Sequence, residues 1–405
     1  MKRRYFISLL GLGALGAVGY KYWPDEGFWN PCRSLPMPDE LLQHELVQQA
    51  WAGIKPKQVW DVHTHLIGTG DSNSGIWINP HMESLKHPIQ YAQRKFYMNA
   101  SCSEAEEQVD KQFLQRLLAL RKSFPAGTRS MLLAFDFYYD NKGKRKKALS
   151  AYHTPDEYAY KIAKQYPDDF EWIASIHPYR KDAIQALKHA VKRGARAVKW
   201  LPPAMGIDPA SPLCDPFYET MARLKIPLLT HGGDELAVHG SDAQSLGNPL
   251  RLRKPLEHGI KVIVAHSASL GSNVDLDKGK NGPQVSNFDL FMRMLRESRY
   301  EGQLFGEISA LTQFNRVGDA LDRLIMARDL HHQLINGSDY PLPGVMPLFS
   351  LTLLVKRGYI SKQKAGVLSS IRQYNPLLFD FVLKRHLEVK GSRFAATVFH
   401  SRRIF

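Results

Sequence analysis

Cysteine is scarce in this sequence of 405 residues, which contains only Cys32, Cys102 and Cys214. The three lie far apart, show no C-x-x-C spacing of zinc or redox motifs, and leave at least one thiol unpaired because their number is odd. The sequence therefore does not indicate a disulfide framework. A single bridge between Cys32 and Cys102, formed in an oxidising compartment, stays open as an alternative.

Motifs of nucleic-acid-binding proteins are also missing: we find no helix-turn-helix pattern, zinc finger or RNA-binding aromatic motif. The formal net charge is nevertheless +15, which bears on association and solubility rather than on fold. An anionic membrane surface or an acidic substrate explains this charge better than nucleic acid. The densest basic run, residues 142–147, is interpreted as a solvated loop.

The apolar run near the N-terminus is shorter than the roughly 20 residues that a comfortable transmembrane helix needs. It follows a basic head with adjacent Arg3 and Arg4, a pattern typical of twin-arginine export signals in bacteria. No A-x-A cleavage site follows, so an uncut membrane anchor is the alternative. We therefore expect residues 1–22 to be a signal or anchor. The protein is then periplasmic, or anchored in the inner membrane and facing the periplasm.

From residue 59 onward the sequence alternates between β-rich runs and amphipathic helical patterns. The predicted strands are residues 59–65, 130–138, 170–177, 195–201, 226–231, 261–266, 304–309 and 333–338. Helical patterns cover residues 104–122, 182–193, 288–299 and 317–328. The nearly continuous apolar run at 262–265 is typical of strands buried on both faces in a parallel sheet. Eight such units predict an α/β fold of the (β/α)₈ or TIM barrel type. An open doubly wound sheet is the alternative, but no G-x-G-x-x-G follows the first strand.

The rest of the chain is divided around this barrel. Residues 23–58 are interpreted as a proline-containing lead-in with one short helix at 39–52, and residues 59–385 as the barrel. Helical patterns at 361–371 and 375–389 close it, and residues 386–405 form a basic C-terminal tail. The long segment 66–101 follows the first strand, and loops of this length are often lids or pocket walls.

Residues suited to catalysis lie at the carboxyl ends of the predicted strands, where barrels of this type have their active sites. They are His63 and His65 of the first strand, Lys199 of the fourth, His231 of the fifth, His266 of the sixth and Asp339 of the eighth. His63 and His65 are two residues apart, so both imidazoles point to one face and can reach one ion. A single histidine in an apolar strand is usually a packed core residue. The coincidence at the same ends of different strands favours a metal site instead. Imidazole and carboxylate ligands suit zinc, iron, manganese or nickel.

This ordered set resembles the amidohydrolase superfamily, most closely the amidohydrolase-related branch that includes aminocarboxymuconate semialdehyde decarboxylase. The resemblance covers roughly residues 59–379. It rests on Asp61-Val-His-Thr-His65, Val198-Lys-Trp-Leu-Pro202, Thr230-His-Gly-Gly233, Ala265-His266 and Gly337-Ser-Asp-Tyr-Pro341. It implies that His63, His65, His231 and Asp339 bind a divalent metal. In the family's two-metal arrangement, a carboxylated Lys199 bridges two ions and His266 binds the second. In the one-metal arrangement, which we favour, His266 acts on the substrate.

The resemblance also implies roles in catalysis. Asp339 takes a proton from a water activated by the ion, zinc in the first instance, and His266 polarises the substrate carbonyl. A charged Lys199 holds a substrate carboxylate. The remaining candidates are Arg180 and His177 as substrate contacts, together with Asp136, and Glu307 and Asp61 as residues that support the ligands.

The reaction expected from these residues is hydrolysis of an amide, ester or lactone bond in a small, anionic or neutral molecule. One alternative is non-oxidative decarboxylation of an unsaturated or aromatic acid by the same metal site. Another is a catalytically silent binding protein at the membrane. The sequence leaves open the identity and number of the metal ions and whether the chain forms a homo-oligomer.

Overall fold

The computed structural model describes residues 24–103, 107–238 and 243–405. The signal or anchor predicted at residues 1–22 lies outside these ranges. Within them, none of the helices has the length and apolar character needed to cross a bilayer. The lead-in contains two short helices, Asp39–Leu42 and Glu45–Ala50, in place of the single predicted helix at 39–52. The interruption has a local cause, because the His44 side chain caps the second helix by accepting from the backbone N–H of Leu46.

Eight parallel strands form the barrel. They are β1 Trp60–His65, β2 Arg129–Leu133, β3 Phe170–Ile173, β4 Val198–Trp200, β5 Leu228–His231, β6 Val262–Ala265, β7 Leu304–Glu307 and β8 Leu334–Ile335. Strands β1 to β3 pair in order, and so do β4 to β8. Parallel bridges between Ala174 and Val198 and between Thr64 and Tyr340 join the two sheets at both seams. The barrel is therefore closed, and the prediction of a (β/α)₈ fold is confirmed.

A helix follows each of the first seven strands. They are α1 Val109–Arg121, α2 Asp156–Gln165, α3 Ala183–Lys192, α4 Asp215–Leu224, α5 Arg253–Glu257, α6 Asn287–Leu295 and α7 Asp319–Met326. Helix α1 begins later than the pattern at 104–122 predicts, since Gln108 has a left-handed backbone with φ of 58°. Several predicted strands are longer than the observed ones because the chain leaves the sheet early and turns into loops at the carboxyl mouth.

The chain ends with helices that pack against the barrel and with a segment that enters it. Helices α8 Leu351–Lys356, α9 Lys362–Tyr374 and α10 Pro376–His386 are followed by a short helix at Ala396–Phe399. Trp51 of the lead-in stacks on Phe381 of α10, with ring centroids 4.2 Å apart. Ile404 is buried among inward-facing strand residues such as Trp60 and Val62. The end of the segment interpreted as a basic tail, 386–405, therefore fills the amino mouth of the barrel.

The opposite, carboxyl mouth is partly covered by the long segment after β1. This segment contains the short strand Trp77–Ile78, which pairs with Tyr152–His153, and the helix Pro88–Ala100. A further hairpin joins Ser272–Val274 to Gln284–Ser286 after β6. A disulfide between Cys32 and Cys102 ties the lead-in to the end of the β1 segment, and Cys214 is free and buried. The bridge that the sequence left open is therefore present.

Candidate metal centre and active site

A cavity of about 260 Å³ opens at the carboxyl mouth of the barrel. The residues predicted at the strand ends that line it are His63, His65, Lys199, His231, His266 and Asp339. Its outer wall comes from the segment after β1, including Ile76, Met82 and Met98. The structure thus brings six sequence-predicted residues from the ends of five strands to one cavity, and the β1 segment forms a wall of it.

His63, His65 and Asp339 form the tightest group in this cavity. The Asp339 Oδ1 atom lies 3.1 Å from Nε2 of His65 and 3.4 Å from Nε2 of His63. One ligand atom from each of the three lies within 4.8 Å of the other two. Two imidazole nitrogens and one carboxylate oxygen are a donor set that suits a divalent transition metal.

The protonation states of this group also suit metal binding. Burial, reinforced by the Lys199 ammonium, holds the pKa of His63 well below its usual range, so its imidazole is neutral. Burial raises the pKa of Asp339, but His63 and His65 together outweigh that effect and leave the pKa lowered. A neutral imidazole and an ionised carboxylate are the forms in which these side chains bind metals.

Asp61 connects the β1 histidines to the loop that carries Asp339. Its Oδ1 accepts from the backbone N–H of Ser338 at 2.7 Å and from that of His63 at 3.2 Å. Its Oδ2 accepts from the Ser338 hydroxyl at 2.6 Å. Because Ser338 immediately precedes Asp339, these bonds fix both sides of the metal group relative to each other. Asp339 itself has a left-handed backbone with φ of 59°, which such bonds help to hold.

Glu307, at the end of β7, is fully buried behind the cavity. Its Oε2 accepts from Nδ1–H of His63 at 3.3 Å, from the His266 backbone N–H at 3.2 Å and from the Ser309 hydroxyl at 2.6 Å. This arrangement leaves the Nε2 lone pair of His63 facing the cavity. A carboxylate that orients a histidine in this way is a common feature of metal sites.

His266 lies after β6 in a run of three residues with left-handed backbone, together with Ser267 and Ala268. The Ser309 hydroxyl has only one proton, which it donates to Glu307, so it accepts from Nδ1–H of His266 at 2.8 Å. The Nε2 atom is then unprotonated and lies 3.8 Å from Oδ2 of Asp339. Burial also holds the pKa of His266 well below its usual range.

His231 and Lys199 also line the cavity, and the His231 ring centroid lies 5.3 Å from that of His266. Nε2 of His231 donates to the Asp234 carbonyl at 3.1 Å, and Nδ1 lies 3.4 Å from Oε2 of Glu235. His231 is not in either close group of ligand atoms that the described residues form. The Lys199 Nζ lies 3.4 Å from Nε2 of His63, and burial lowers the lysine pKa to about 8.

Most of the barrel sequence matches a known protein family. The model of the amidohydrolase family matches residues 60–345 of this chain. The chain belongs to the amidohydrolase family. The resemblance inferred from the sequence is therefore confirmed. A search of curated protein sequences finds no match.

Several solved structures are similar to this amidohydrolase. An uncharacterised TIM-barrel protein from Bordetella bronchiseptica is 15% identical, with 72% of this chain and 89% of that chain covered and a TM-score of 0.46. A probable 2-pyrone-4,6-dicarboxylic acid hydrolase from Acinetobacter baumannii is 15% identical, with coverages of 76% and 95% and a TM-score of 0.42. The 5-carboxyvanillate decarboxylase from Sphingomonas paucimobilis is 10% identical, with coverages of 78% and 98% and a TM-score of 0.42.

Two residues predicted as substrate contacts lie elsewhere in this amidohydrolase. Arg180 binds the carboxylates of Asp136 at 2.9 Å and Asp182 at 2.7 Å. His177 is fully buried, and its Nε2 donates to the Met205 carbonyl at 2.9 Å. Neither His177, Arg180 nor Asp136 is among the described residues that line the cavity. Their polar groups are used within the protein.

The cavity of the amidohydrolase also contains polar residues that the sequence did not reveal. They include Arg94, Tyr97, Glu235, Gln313 and Arg316. Glu235 follows the β5 histidine by four residues, and Gln313 and Arg316 follow Glu307 on the loop after β7. A search extended from the strand ends into the loops that follow them would have found these three. Arg94 and Tyr97 lie on the helix of the β1 segment, which no strand-end argument reaches.

Proposed function

We propose that this amidohydrolase is a metal-dependent hydrolase that cleaves an amide, ester or lactone bond in a small molecule. The observation that carries the proposal is the convergence of ligand atoms from His63, His65 and Asp339 within 4.8 Å at the cavity. Burial of the surrounding histidines and the buried acceptor Glu307 supports it, because these features keep the imidazoles neutral and oriented.

The proposed cofactor is one divalent ion, zinc in the first instance, with iron, manganese and nickel as alternatives. His63, His65 and Asp339 would hold it, and we propose His231, whose pKa burial lowers, as the fourth ligand. An ion held there supplies Lewis acidity and lowers the pKa of water to near 7. Lys199, buried beside His63, remains the proposed carboxylated ligand if a second ion binds.

The chain's own residues would handle the proton. The lowered pKa of Asp339 makes its carboxylate available as a base at neutral pH. His266 offers an unprotonated Nε2 at 3.8 Å from Asp339 Oδ2, so a water or substrate group between them would relay the proton. Once protonated, His266 would donate to the developing negative charge on the substrate oxygen.

Metal analysis of the purified protein tests this proposal. Wild-type protein is expected to contain close to one divalent ion per chain, and His63→Ala and Asp339→Ala are each expected to lose it. The exposed His332 lies 3.6 Å from Glu301 and away from the cavity lining, and His332→Ala serves as the matched control. Unchanged metal content in both site variants would refute the ligand assignment.

The reaction type is tested separately with isotope-labelled water. A hydrolase incorporates labelled oxygen into its product, whereas the alternative decarboxylase releases carbon dioxide without net uptake of water. A folded, metal-free protein without turnover would favour the silent binding protein. If the protein is active, assays with a set of amide, ester, lactone and acid probes identify the bond that is cleaved.

We also propose that the protein is exported from the bacterial cytoplasm. The adjacent Arg3 and Arg4 motivate this proposal, and the Cys32–Cys102 disulfide supports it, since disulfides persist mainly in oxidising compartments. Cell fractionation of the full chain and of the double variant Arg3→Lys, Arg4→Lys tests it. The full chain should be found in the periplasm or inner membrane and the variant in the cytoplasm. Equal cytoplasmic recovery of both would contradict export.

A further inference from the structure

The cavity wall contains buried N–H donors that have no hydrogen-bond partner within the described residues. They are Nε of Arg316 and Nε2 of Gln313 on the loop after β7, and Nε of Arg94 on the opposing helix. Leaving a buried donor unpaired costs about 1–3 kcal/mol, so such groups are few in native proteins and require an explanation. Because all three are donors and line one cavity, a ligand rich in acceptors would satisfy them.

Arg316 is the most informative of the three. No carboxylate of the described residues lies within 4.0 Å of its guanidinium, whereas Arg94 has Glu83 at 3.4 Å. The only hydrogen bond from the Arg316 side chain within the described residues runs from Nη1 to the Ser269 hydroxyl, at 3.0 Å. Burial lowers the pKa of Arg316, and more distant carboxylates, beginning with Glu235 and Asp339, oppose that effect. Among the described residues, no ion pair therefore neutralises the positive charge that Arg316 presents to the cavity.

The position of Arg316 relates it directly to the candidate metal centre. Ser269, which accepts its hydrogen bond, donates its own backbone N–H to the His266 carbonyl at 3.0 Å. Gln313 and Arg316 both follow Glu307, and the Arg316 N–H donates to the Gln313 carbonyl at 2.9 Å. The two donors are thus built on the same loops that position His266 and Glu307. An anion held by them lies in the same cavity as the proposed reacting centre.

The remainder of the cavity limits what such a ligand can be. Apolar side chains form much of the wall, among them Ile67, Ile76, Ile78, Met82, Met98 and Leu149. These walls favour an apolar body, while the donors favour a planar group with two acceptor oxygens. The fork of an arginine matches a carboxylate in this way.

We propose that Arg316, with Gln313 as the second donor, recognises a carboxylate group on the substrate of this enzyme. This assignment rests on the proposed function and specifies its substrate class as apolar carboxylic acids whose reacting bond lies near the acid group. Arg316 is then a specificity-determining residue rather than a ligand or a base.

Binding of benzoate and of its neutral analogue benzamide tests the assignment by titration calorimetry. Wild-type protein should bind benzoate more tightly than benzamide. Arg316→Met should weaken benzoate binding roughly ten- to hundredfold, the size expected for a lost hydrogen bond to a charged group, and leave benzamide within about twofold. Arg316→Lys should restore part of the benzoate preference because it keeps the charge. Arg296→Met is the matched control, since Arg296 is exposed and paired with Asp329 at 2.9 Å.

The same titrations in protein stripped of metal by a chelator separate this assignment from the proposed function. If metal-free wild type still prefers benzoate to benzamide, and Arg316→Met removes that preference, the anion site is supported independently of the reaction that the enzyme catalyses. Failure of the hydrolase proposal is read instead from metal content and labelled-water uptake. Gln313→Leu provides a second variant if Arg316→Met does not fold, and should weaken benzoate binding severalfold. The assignment is overturned by absence of benzoate binding to wild type, by equal benzoate affinity in wild type and the folded variants, or by loss of the preference on chelation.

Discussion

Nδ1 of His63 and Oε2 of Glu307 lie 3.3 Å apart in the buried floor of the cavity. This contact determines that His63 presents Nε2, not Nδ1, to Asp339. The same carboxylate accepts from the His266 backbone and the Ser309 hydroxyl. One buried side chain thus orients residues from β1, β6 and β7 around the proposed ion.

Glu307→Gln is expected to lower metal affinity about 10- to 100-fold, the usual cost of removing such a supporting carboxylate. The amide keeps the shape of the side chain but supplies a weaker acceptor to His63. Competition against a coloured chelator measures the affinity. Glu301→Gln, at a residue whose side chain is 68% exposed, is the control. Equal affinity in wild type and Glu307→Gln would refute this role.

Asp156 should make stability depend on pH. Burial raises its pKa from 3.8 to about 7, although the Ser175 backbone N–H that it accepts opposes the rise. The folded state then binds the proton more tightly than the unfolded state, so this residue's contribution to stability falls as pH rises from about 4 to about 7. Asp156→Asn keeps an acceptor for Ser175 and removes the titration.

The unfolding free energy of wild type should therefore fall relative to that of Asp156→Asn as the pH rises across that range. We expect a shift on the order of a few kcal/mol, measured by urea unfolding at pH 4, 5.5 and 7.5. Asp168→Asn, at an exposed position, provides the comparison. If the difference in unfolding free energy between wild type and Asp156→Asn does not change with pH, Asp156 has the same pKa in the folded and unfolded states, which would contradict this prediction.

Ile404 should contribute strongly to stability although it is the second-to-last residue. Its side chain is 4% exposed and packs against the inward-facing residues of the barrel. Ile404→Ala is expected to cost about 2–5 kcal/mol through lost burial and the cavity left behind. Denaturant unfolding measures this loss, with Leu213→Ala at a 49% exposed site as the control. A loss no larger than in that control would mean that the end of the chain does not pack in the barrel in solution.

The Cys32–Cys102 disulfide predicts the thiol count of the purified protein. Unfolded under non-reducing conditions, the protein should show one reactive thiol, Cys214, and the native protein none, because Cys214 is buried. Cys32→Ser is expected to lower the unfolding free energy by about 2–4 kcal/mol, since the bridge closes a loop of 70 residues in the unfolded chain. Cys214→Ser is the control for loss of a thiol outside the bridge. Three reactive thiols in the unreduced, unfolded protein would contradict the bridge.

The barrel and the grouping of the candidate site residues at one mouth were predictable because both depend on local pattern. Buried parallel strands leave continuous apolar runs, and the two-residue spacing of His63 and His65 fixes their common face. Strand ends in a closed barrel meet at one mouth, which brings Asp339 to them. The roles of Asp61 and Glu307 in holding these residues also follow from their positions on β1 and β7.

The sequence did not predict where side chains point once the chain leaves a strand. Arg180 follows a strand end, yet it turns to Asp136 and Asp182 because two carboxylates are available there. Arg316 lies on an irregular loop, where no periodicity fixes the direction of its side chain. The lack of an ion-pair partner among the residues that the structure describes makes it a candidate, and this property is visible only in three dimensions.

Ile404 and its neighbours close the amino mouth of the barrel, and this limits the routes by which substrate and product can reach and leave the cavity. As far as the described residues show, the cavity opens at the carboxyl mouth, where the β1 segment and the loops after β5 and β7 line it, so substrate and product share this opening. Departure of one molecule then has to precede arrival of the next. Substitutions in the loops around that opening, rather than in the reacting residues, are therefore expected to alter the rate of product release.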